Sequence, residues 1–446
     1  MSSTALSLSK APANAPSKAP ADAPSKAPPD AGEHLVIIGN GMAGHRLLQA
    51  LQDRPTRPIH ITTIGEEASP AYNRILLSPW LAGEIERDSL DTRLSDEMSA
   101  SVEWRLGERV VTIDRTHRRV HTDIGDPVHY DRLVIATGSR PTLPAIPGIE
   151  LGNVGGFRNL DDVDWLIARS SGSRAVVVGG GLLGLEAAEG LRKRGLAVTL
   201  LQRGDRLMNR QLDVTAATWL RDTLERRGLT IETHASLSGC DADAQGNVQA
   251  VRLTDGRRLA ADCVVVAAGI TPNAELGRLA RLDVGAGICV DATLTTRDPR
   301  IHAIGECCEF DGTTVGLVEP IWQQVETLAD LLGGQTPQPY SDSACATRLK
   351  VAGISLYAFG PVEAEPDDDI LTYADPEGGD YRRLLLRNDR LIGAVLYGDT
   401  GDGPALFQLS RAGADLGHHR DLLLFGASDV AQRLTEDTQH SLEEAA

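Results

Sequence analysis

The sequence predicts an α/β chain made of two three-layer ββα units and a smaller C-terminal α+β unit. Three observations lead there. A short apolar run, His34-Leu35-Val36-Ile37-Ile38, passes directly into Gly39-Asn40-Gly41-Met42-Ala43-Gly44. The same order restarts at Ser173 to Val178, which runs into Gly179-Gly180-Gly181-Leu182-Leu183-Gly184. Beyond residue 341 the pattern changes to β-type stretches followed by a helical one.

In a strand followed by Gly-x-Gly-x-x-Gly, the first glycine permits a tight turn and the second lets backbone approach a diphosphate. The third lets the next helix pack close to the strand, so that the diphosphate sits at the helix N-terminus. Both runs are therefore Rossmann-like dinucleotide cradles. The first continues in register with a helix from about Gly41 to Gln52, a strand from His60 to Gly65, and Glu66 at the strand end. An acid roughly 20 residues past the glycines is placed to bind ribose hydroxyls. Short β segments follow between Trp104 and His121, Val110 among them. Tyr130 to Ile135 is an apolar strand closing in Ala136-Thr137-Gly138-Ser139-Arg140-Pro141, where small residues let backbone pass close to a bound cofactor.

The second cradle has its own helix to about Gly195, a strand from Ala197 to Leu201, and a small-residue strand end at Ala267-Ala268-Gly269. Two complete cradles in one chain imply two dinucleotides facing each other, and hence chemistry between them. The C-terminal part reads as strands at Arg348 to Val351, Ile354 to Phe359, Arg382 to Arg387 and Leu391 to Tyr397. The turn Asn388-Asp389 joins the last two into a hairpin, and a helix follows from Gly403 to Leu416. The acidic run from Glu363 to Asp369 reads as a solvated loop.

Bulk properties narrow the function. A chain of 446 residues, 41% hydrophobic, holds two or three well-buried cores. Its 45 glycines and 4% aromatics suit a glycine-rich α/β protein. A formal charge of −18 argues against a nucleic-acid or anionic-membrane binder. The six cysteines, Cys240, Cys263, Cys289, Cys307, Cys308 and Cys345, contain no Cys-x-x-Cys pair. That spacing supports neither a disulfide framework nor a metal site, and a reduced, cytoplasmic chain is expected. No apolar run approaches the roughly 20 residues of a membrane span. Residues 9–32 repeat an eight-residue Ala/Pro/Ser/Lys pattern three times. So little apolar surface does not offset ordering entropy, and residues 1–32 are expected to be an extended, disordered tail, either a solubilising leader or a docking arm.

Taken together, these motifs resemble the FAD- and NAD(P)H-dependent pyridine nucleotide reductases with two dinucleotide domains. The likeness includes a further motif, Ile301-His302-Ala303-Ile304-Gly305-Glu306. It implies an FAD-binding domain over residues 33–150 and 270–335, an NAD(P)H-binding domain over 151–269, and an interface domain over 341–446. Such interface domains often dimerise or cover the flavin, so a homodimer is compatible with the reading. A narrower likeness is to the flavin portion of assimilatory NAD(P)H nitrite reductase large subunits and nitrate reductase electron-transfer relatives. Tyr72-Asn73-Arg74-Ile75-Leu76-Leu77-Ser78, Gly305-Glu306-Cys307-Cys308-Glu309, Gly316 to Gln324, Leu349 to Gly353 and Leu391 to Thr400 carry it. In the large nitrite reductases an iron-sulfur and sirohaem region follows. This sequence shows none, so the likeness implies a separate iron-sulfur or metalloprotein acceptor: a nitrate or nitrite reductase component, a ferredoxin or a rubredoxin.

The resemblance implies FAD contacts at Gly39, Gly41, Met42, Ala43, Gly44, Glu66, Arg74, Val110, Ala136, Thr137, Gly138, Arg140, Gly305, Glu306, Ile321 and Trp322. For NADH or NADPH it implies Gly179, Gly181, Leu182, Leu183, Gly184, Glu186, Gln202, Arg203, Arg210, Ala268 and Gly269. Most members carry Asp where this chain has Glu306, the residue that holds the ribityl chain. Arg74 is read as a cation near the flavin ring, with pyrophosphate binding or a surface ion pair as the alternatives. Glu186 is read as a nicotinamide-ribose contact or a first-turn acid. The second strand ends in Gln202-Arg203-Gly204-Asp205-Arg206 without an acid at the ribose position, which leaves NADH against NADPH open. No cysteine precedes Cys240, so no thiol relay accompanies the first cradle; Cys307-Cys308 reads as packing ahead of redox chemistry. Besides a nitrate- or nitrite-linked reductase, a rubredoxin or ferredoxin reductase of another pathway and a flavin-binding sensor without turnover remain open.

Overall fold

The computed structural model describes residues 32–433 except 57–59, 342–344, 352, 428–429 and 431. The tail expected over residues 1–32 lies, apart from Gly32, outside the described residues.

His34–Ile38 is the middle strand of a five-stranded parallel sheet in the order Ile301–Ala303, Arg132–Ile135, His34–Ile38, His60–Gly65, Val102–Leu106. Side chains alternate across a strand, and Leu35 to Ile38 are all apolar and buried because both faces are covered. Leu35 and Ile37 pack beneath helices Met42–Gln52 and Val318–Leu332, against Leu47, Leu51, Val325 and Leu328. Val36 and Ile38 pack on the other face against Ile113 and Val120. Those two belong to an antiparallel layer of Val110–Asp114, Arg119–Thr122 and Val128–His129.

The arrangement is repeated in the second unit. Its parallel sheet runs Thr230–Glu232, Ala197–Leu201, Arg174–Val178, Cys263–Val266, Val154–Gly155. Helices Leu182–Lys193 and Val214–Arg226 cover one face through Leu185, Leu220 and Leu224. The other face meets the antiparallel strands Leu237–Ala242, Val248–Leu253 and Arg258–Ala260. A two-stranded antiparallel ribbon, Ser139–Pro141 against Ile270–Pro272, joins the units.

The C-terminal unit is a five-stranded antiparallel sheet in the order Thr347–Val351, Ile354–Phe359, Arg390–Tyr397, Asp380–Arg387, Asp369–Asp375. Asn388 and Asp389 form the hairpin turn with φ of 49° and 54°, the left-handed pair a two-residue loop demands. The helix expected to reach Leu416 stops at Ala412, because Gly413 takes a left-handed φ of 59° and ends it. The acidic run is less free than its composition suggests. Glu363 pairs with Arg206, Glu365 and Asp368 with Arg387, and Asp369 with Arg420 while opening a strand. Trp219 of the second unit packs against Tyr381 and Tyr397 at centroid distances of 5.7 and 5.8 Å, and the Tyr381 hydroxyl donates to Asp213 Oδ2 at 2.8 Å. Among the described residues, no helix is long and apolar enough to cross a membrane.

Candidate functional site

At the first cradle, Gly39 has a φ of +115°, and a Cβ there would overlap the Ala136 carbonyl oxygen. A Cβ on Gly44 would overlap the Gly39 oxygen, which is the close helix-to-strand approach expected of the third glycine. Gly41 is different: a Cβ on it would meet nothing within 4 Å. The first intrahelical bond runs from His45 N to Gly41 O at 3.0 Å. The amides of Met42, Ala43 and Gly44 precede it and have no helical acceptor, so they aim at the open side of Gly41. Asn40 adds a carboxamide whose nitrogen and oxygen are both buried without a partner. Open space, orphan amides and an unpartnered amide side chain fit a diphosphate-bearing cofactor.

Around that turn, Glu66 is exposed at its strand end, 4.0 Å from Arg109. Val110 follows closely, because the Glu108 amide donates to Gly65 O at 3.0 Å. The Ala136 amide donates to Ile38 O, and Thr137 and Asn273 exchange hydrogen bonds of 2.8 and 2.9 Å. Gly305 lies against the cradle helix, with the Ala43 Cβ 3.2 Å from where its own Cβ would stand, and its amide donates to buried Gln324 at 2.8 Å. Ile321 and Trp322 sit in the first turns of helix Val318–Leu332; Ile321 is buried, while Trp322 is capped by Arg46 at 5.8 Å. Arg140 departs from the cluster: it pairs with Glu275 and Asn273 on the exposed side of the ribbon. Cys307 and Cys308 are free and buried, with burial pushing both thiols up, as packing residues would be.

The second cradle repeats the first. Gly179 has a φ of +121° against the Ala267 oxygen, a Cβ on Gly184 would overlap the Gly179 oxygen, and a Cβ on Gly181 would again meet nothing within 4 Å. The first helical bond is Leu185 N to Gly181 O, which leaves the Leu182, Leu183 and Gly184 amides free of helical acceptors. Gly269, beside Ala268, has an open side as well. Gln202 turns inward, accepting from Gly180 N at 3.1 Å and donating to Arg206 O at 3.0 Å. Arg203 and Arg210 stand exposed nearby.

Between the cradles, contacts invisible to sequence spacing hold the units together. Glu186 accepts from the Ser78 hydroxyl at 2.6 Å, and burial raises its carboxyl above the usual range while that bond opposes the shift. Leu81 lies against Gly190, and Arg194 donates to the Leu81 and Trp80 carbonyls. Arg74 pairs with Glu67, stacks on Tyr72 at 4.9 Å, and donates to the Arg158 carbonyl at 3.0 Å. Arg158 in turn pairs with Glu306. Ser78, Ser139 and Gln324 lie within motifs quoted from the sequence but were given no role there, and Arg158 was missed. The Asn159–Asp162 capping box after Arg158 is the local signal next to it.

Comparison with known proteins agrees with this geometry. Residues 33–328 match the family described as pyridine nucleotide-disulphide oxidoreductase, and residues 346–411 match the rubredoxin NAD+ reductase C-terminal domain. Nitrite reductase [NAD(P)H] of Bacillus subtilis (strain 168) is 37% identical over 388 residues, covering 86% of this chain and 48% of that protein. The assimilatory nitrate reductase electron transfer subunit of the same organism is 37% identical over 375 residues, covering 83% of this chain and 48% of its own. The chain thus spans about half the length of these curated relatives. The covalent putidaredoxin reductase-putidaredoxin complex superposes with a TM-score of 0.81 at 26% identity, covering 91% of this chain and 100% of that one.

Proposed function

The chain belongs to the pyridine nucleotide-disulphide oxidoreductase family of NAD(P)H-dependent FAD oxidoreductases, and on that premise we propose that it carries electrons from NAD(P)H through FAD to an iron-sulfur or metalloprotein acceptor of nitrate or nitrite assimilation. The observation that carries the proposal is the pair of open-sided glycine cradles held against each other by the Ser78–Glu186 and Arg158–Glu306 contacts. When bound, FAD accepts a two-electron hydride and passes electrons on singly, which suits iron-sulfur and haem acceptors.

The chain's own residues bind and orient. The Met42, Ala43 and Gly44 amides hold one diphosphate, Glu66 takes its ribose hydroxyls, and Glu306 takes the ribityl hydroxyls. The Leu182, Leu183 and Gly184 amides hold the second diphosphate, with Glu186 beside the nicotinamide ribose. Arg74 shares its charge with Glu67 and fixes the Arg158 segment through its carbonyl. On this assignment residues 33–150 and 270–335 form the FAD unit and 151–269 the nicotinamide unit. A reducing compartment such as the cytoplasm suits the free cysteines.

Serving a ferredoxin or rubredoxin is the second reading. The rubredoxin NAD+ reductase C-terminal domain match at residues 346–411 and the overlap with the putidaredoxin reductase-putidaredoxin complex over 91% of this chain favour it. Mixing the purified, NAD(P)H-reduced protein with a nitrate reductase, a nitrite reductase, a ferredoxin and a rubredoxin separates the two. Transfer confined to the nitrogen-oxide enzymes supports the first reading, and transfer only to the small carriers replaces it with the second.

A further inference from the structure

The loop that leaves strand Ala197–Leu201 folds back over the second glycine turn and is held there from both sides. Gln202 Oε1 accepts from Gly180 N at 3.1 Å, and Met208 N donates to Gly180 O at 2.8 Å. The exit of the neighbouring strand Thr230–Glu232 pins it again: Ala235 N donates to Gln202 O at 3.0 Å and His234 N to Gly204 O at 2.9 Å. Arg203 therefore stands between two carbonyls that are both fixed. At the far end, the amides of Gln211 and Leu212 donate to Met208 O at 2.8 and 2.9 Å, which fixes the turn that carries Arg210. A Cβ on Gly204 would lie 3.4 Å from Asn209 Nδ2, so the two arginines flank a point where the loop touches itself.

The other polar side chains of this loop are already engaged. The Gln202 nitrogen donates to Arg206 O at 3.0 Å. Arg206 donates to Leu212 O at 3.0 Å and pairs with Asp205 and, from the C-terminal unit, with Glu363. Its charge is neutralised twice over. Glu232, at the end of the adjacent strand, pairs with Arg257. Arg203 and Arg210 differ: both are exposed, and among the described residues neither guanidinium has a hydrogen-bond or ion-pair partner. Two free cations thus stand at a strand end where a neutral amide replaces the acid that would bind the ribose hydroxyls of NADH.

From this arrangement we infer that the loop Gln202–Arg210 is a preformed site for the 2′-phosphate of NADPH, with Arg203 and Arg210 as its specificity-determining residues. The inference rests on the assignment of the second cradle to the nicotinamide cofactor, and narrows that cofactor to NADPH. A guanidinium fork matches phosphate oxygens, and a carboxylate in place of the Gln202 amide would repel them. Arg206, tied to two carboxylates, braces the loop instead of binding the ligand. The exposure of Arg203 and Arg210 also sets the size of the preference. With NADH bound they stay hydrated, so NADH forfeits their contacts without leaving a buried charge unpaired, and it is disfavoured but not rejected.

The test uses the full-length, FAD-loaded protein and probes the site without turnover. Calorimetry gives Kd for adenosine 2′,5′-bisphosphate and for 5′-AMP, which differ by the 2′-phosphate alone. The bisphosphate is expected to bind the wild-type protein roughly ten- to a hundredfold more tightly. Arg203→Ala and Arg210→Ala each remove up to about tenfold of that advantage and leave 5′-AMP affinity unchanged. Arg203→Lys keeps part of it, since an ammonium still pairs with phosphate. Arg226→Ala, which removes an exposed cation from the neighbouring helix, keeps the whole advantage. The kcat/KM for NADPH falls in step with the bisphosphate affinity, while that for NADH holds. Melting of each variant reports folding, and the wild-type ratio stands as a test whatever the variants do. Equal affinity for the two probes in the wild type, an unchanged ratio in both alanine variants, or an equal loss in Arg226→Ala overturns the inference, and reduction of the flavin by NADH then leaves the nicotinamide assignment standing. If neither probe binds and neither nucleotide reduces the flavin, both fall.

Discussion

Replacing Gly181 with alanine separates a binding role from a structural one. The site has an ordinary extended conformation, φ −87° and ψ −176°, and an added Cβ meets nothing within 4 Å. Nothing in the protein resists the methyl group. Because alanine restricts the unfolded chain, the apoprotein is expected to be unchanged or stabilised by about 0.4–1 kcal/mol. A dinucleotide entering the cradle meets that methyl instead of bare backbone. Displacing its diphosphate by an ångström or so costs two charge-assisted amide bonds at about 1.5 kcal/mol each, roughly a hundredfold in Kd. Gly184→Ala gives the opposite pattern, since its Cβ would overlap the Gly179 carbonyl oxygen, and overpacking of that kind costs about 1–3 kcal/mol of stability. Apoprotein melting curves and calorimetric titration with NADH and NADPH measure both quantities. Unchanged nicotinamide affinity in Gly181→Ala, or a melting loss equal to that of Gly184→Ala, refutes the reasoning. Gly41 has the same open side in the first cradle, and Gly41→Ala is expected to lower FAD affinity alone.

Further outcomes follow from the packing. His302 is fully buried in the first sheet, its Nδ1 3.1 Å from Thr295 Oγ1, and burial pushes its pKa from 6.5 down to about 4. The folded-state pKa lies below the unfolded one, so the stability this site confers is complete above pH 6.5 and is lost as pH falls towards 4. The loss is about 3 kcal/mol by linkage. Denaturant titrations from pH 7.5 to 4.5 should show a steeper decline in the wild type than in His302→Gln, and parallel profiles would contradict the assignment. Gly190→Leu places a side chain where Leu81 Cγ lies 2.9 Å from the Cβ position; proteolysis between the units should accelerate, and an unaltered digestion pattern would mean that contact does not hold them. Tyr381→Phe removes the hydroxyl that donates to Asp213 and should cost about 1 kcal/mol in thermal melting of the C-terminal unit, against no cost if that bond is idle.

Both cradles were legible because their information is local. A glycine order, an apolar run and a helical period lie within some thirty residues, and the structure sets each within a residue or two of where the pattern puts it. The Asn388-Asp389 hairpin was legible for the same reason, since only certain residues tolerate consecutive left-handed conformations. Asp369–Asp375 was not: it is an edge strand with most side chains exposed, so it lacks the alternation that marks a half-buried strand. Gly413 lay inside an otherwise helical pattern and ended it early. The clasp of Arg158, Ser139 and Glu306 joins residues 148 or more apart in part of its contacts, and nothing in local sequence records such a meeting. Arg74 shows the limit from the other side: its residue type was conspicuous, but its Glu67 and Tyr72 partners depend on how a short turn folds back.

The most direct measurement is an anaerobic titration of the FAD-loaded protein with NADH and with NADPH, followed by addition of the acceptor proteins. One equivalent of at least one nucleotide is expected to abolish the yellow flavin absorbance, and a metalloprotein acceptor to restore it. Flavin absorbance that persists with both nucleotides would contradict the assignment of the second cradle and, with it, the proposed route of electrons through the chain.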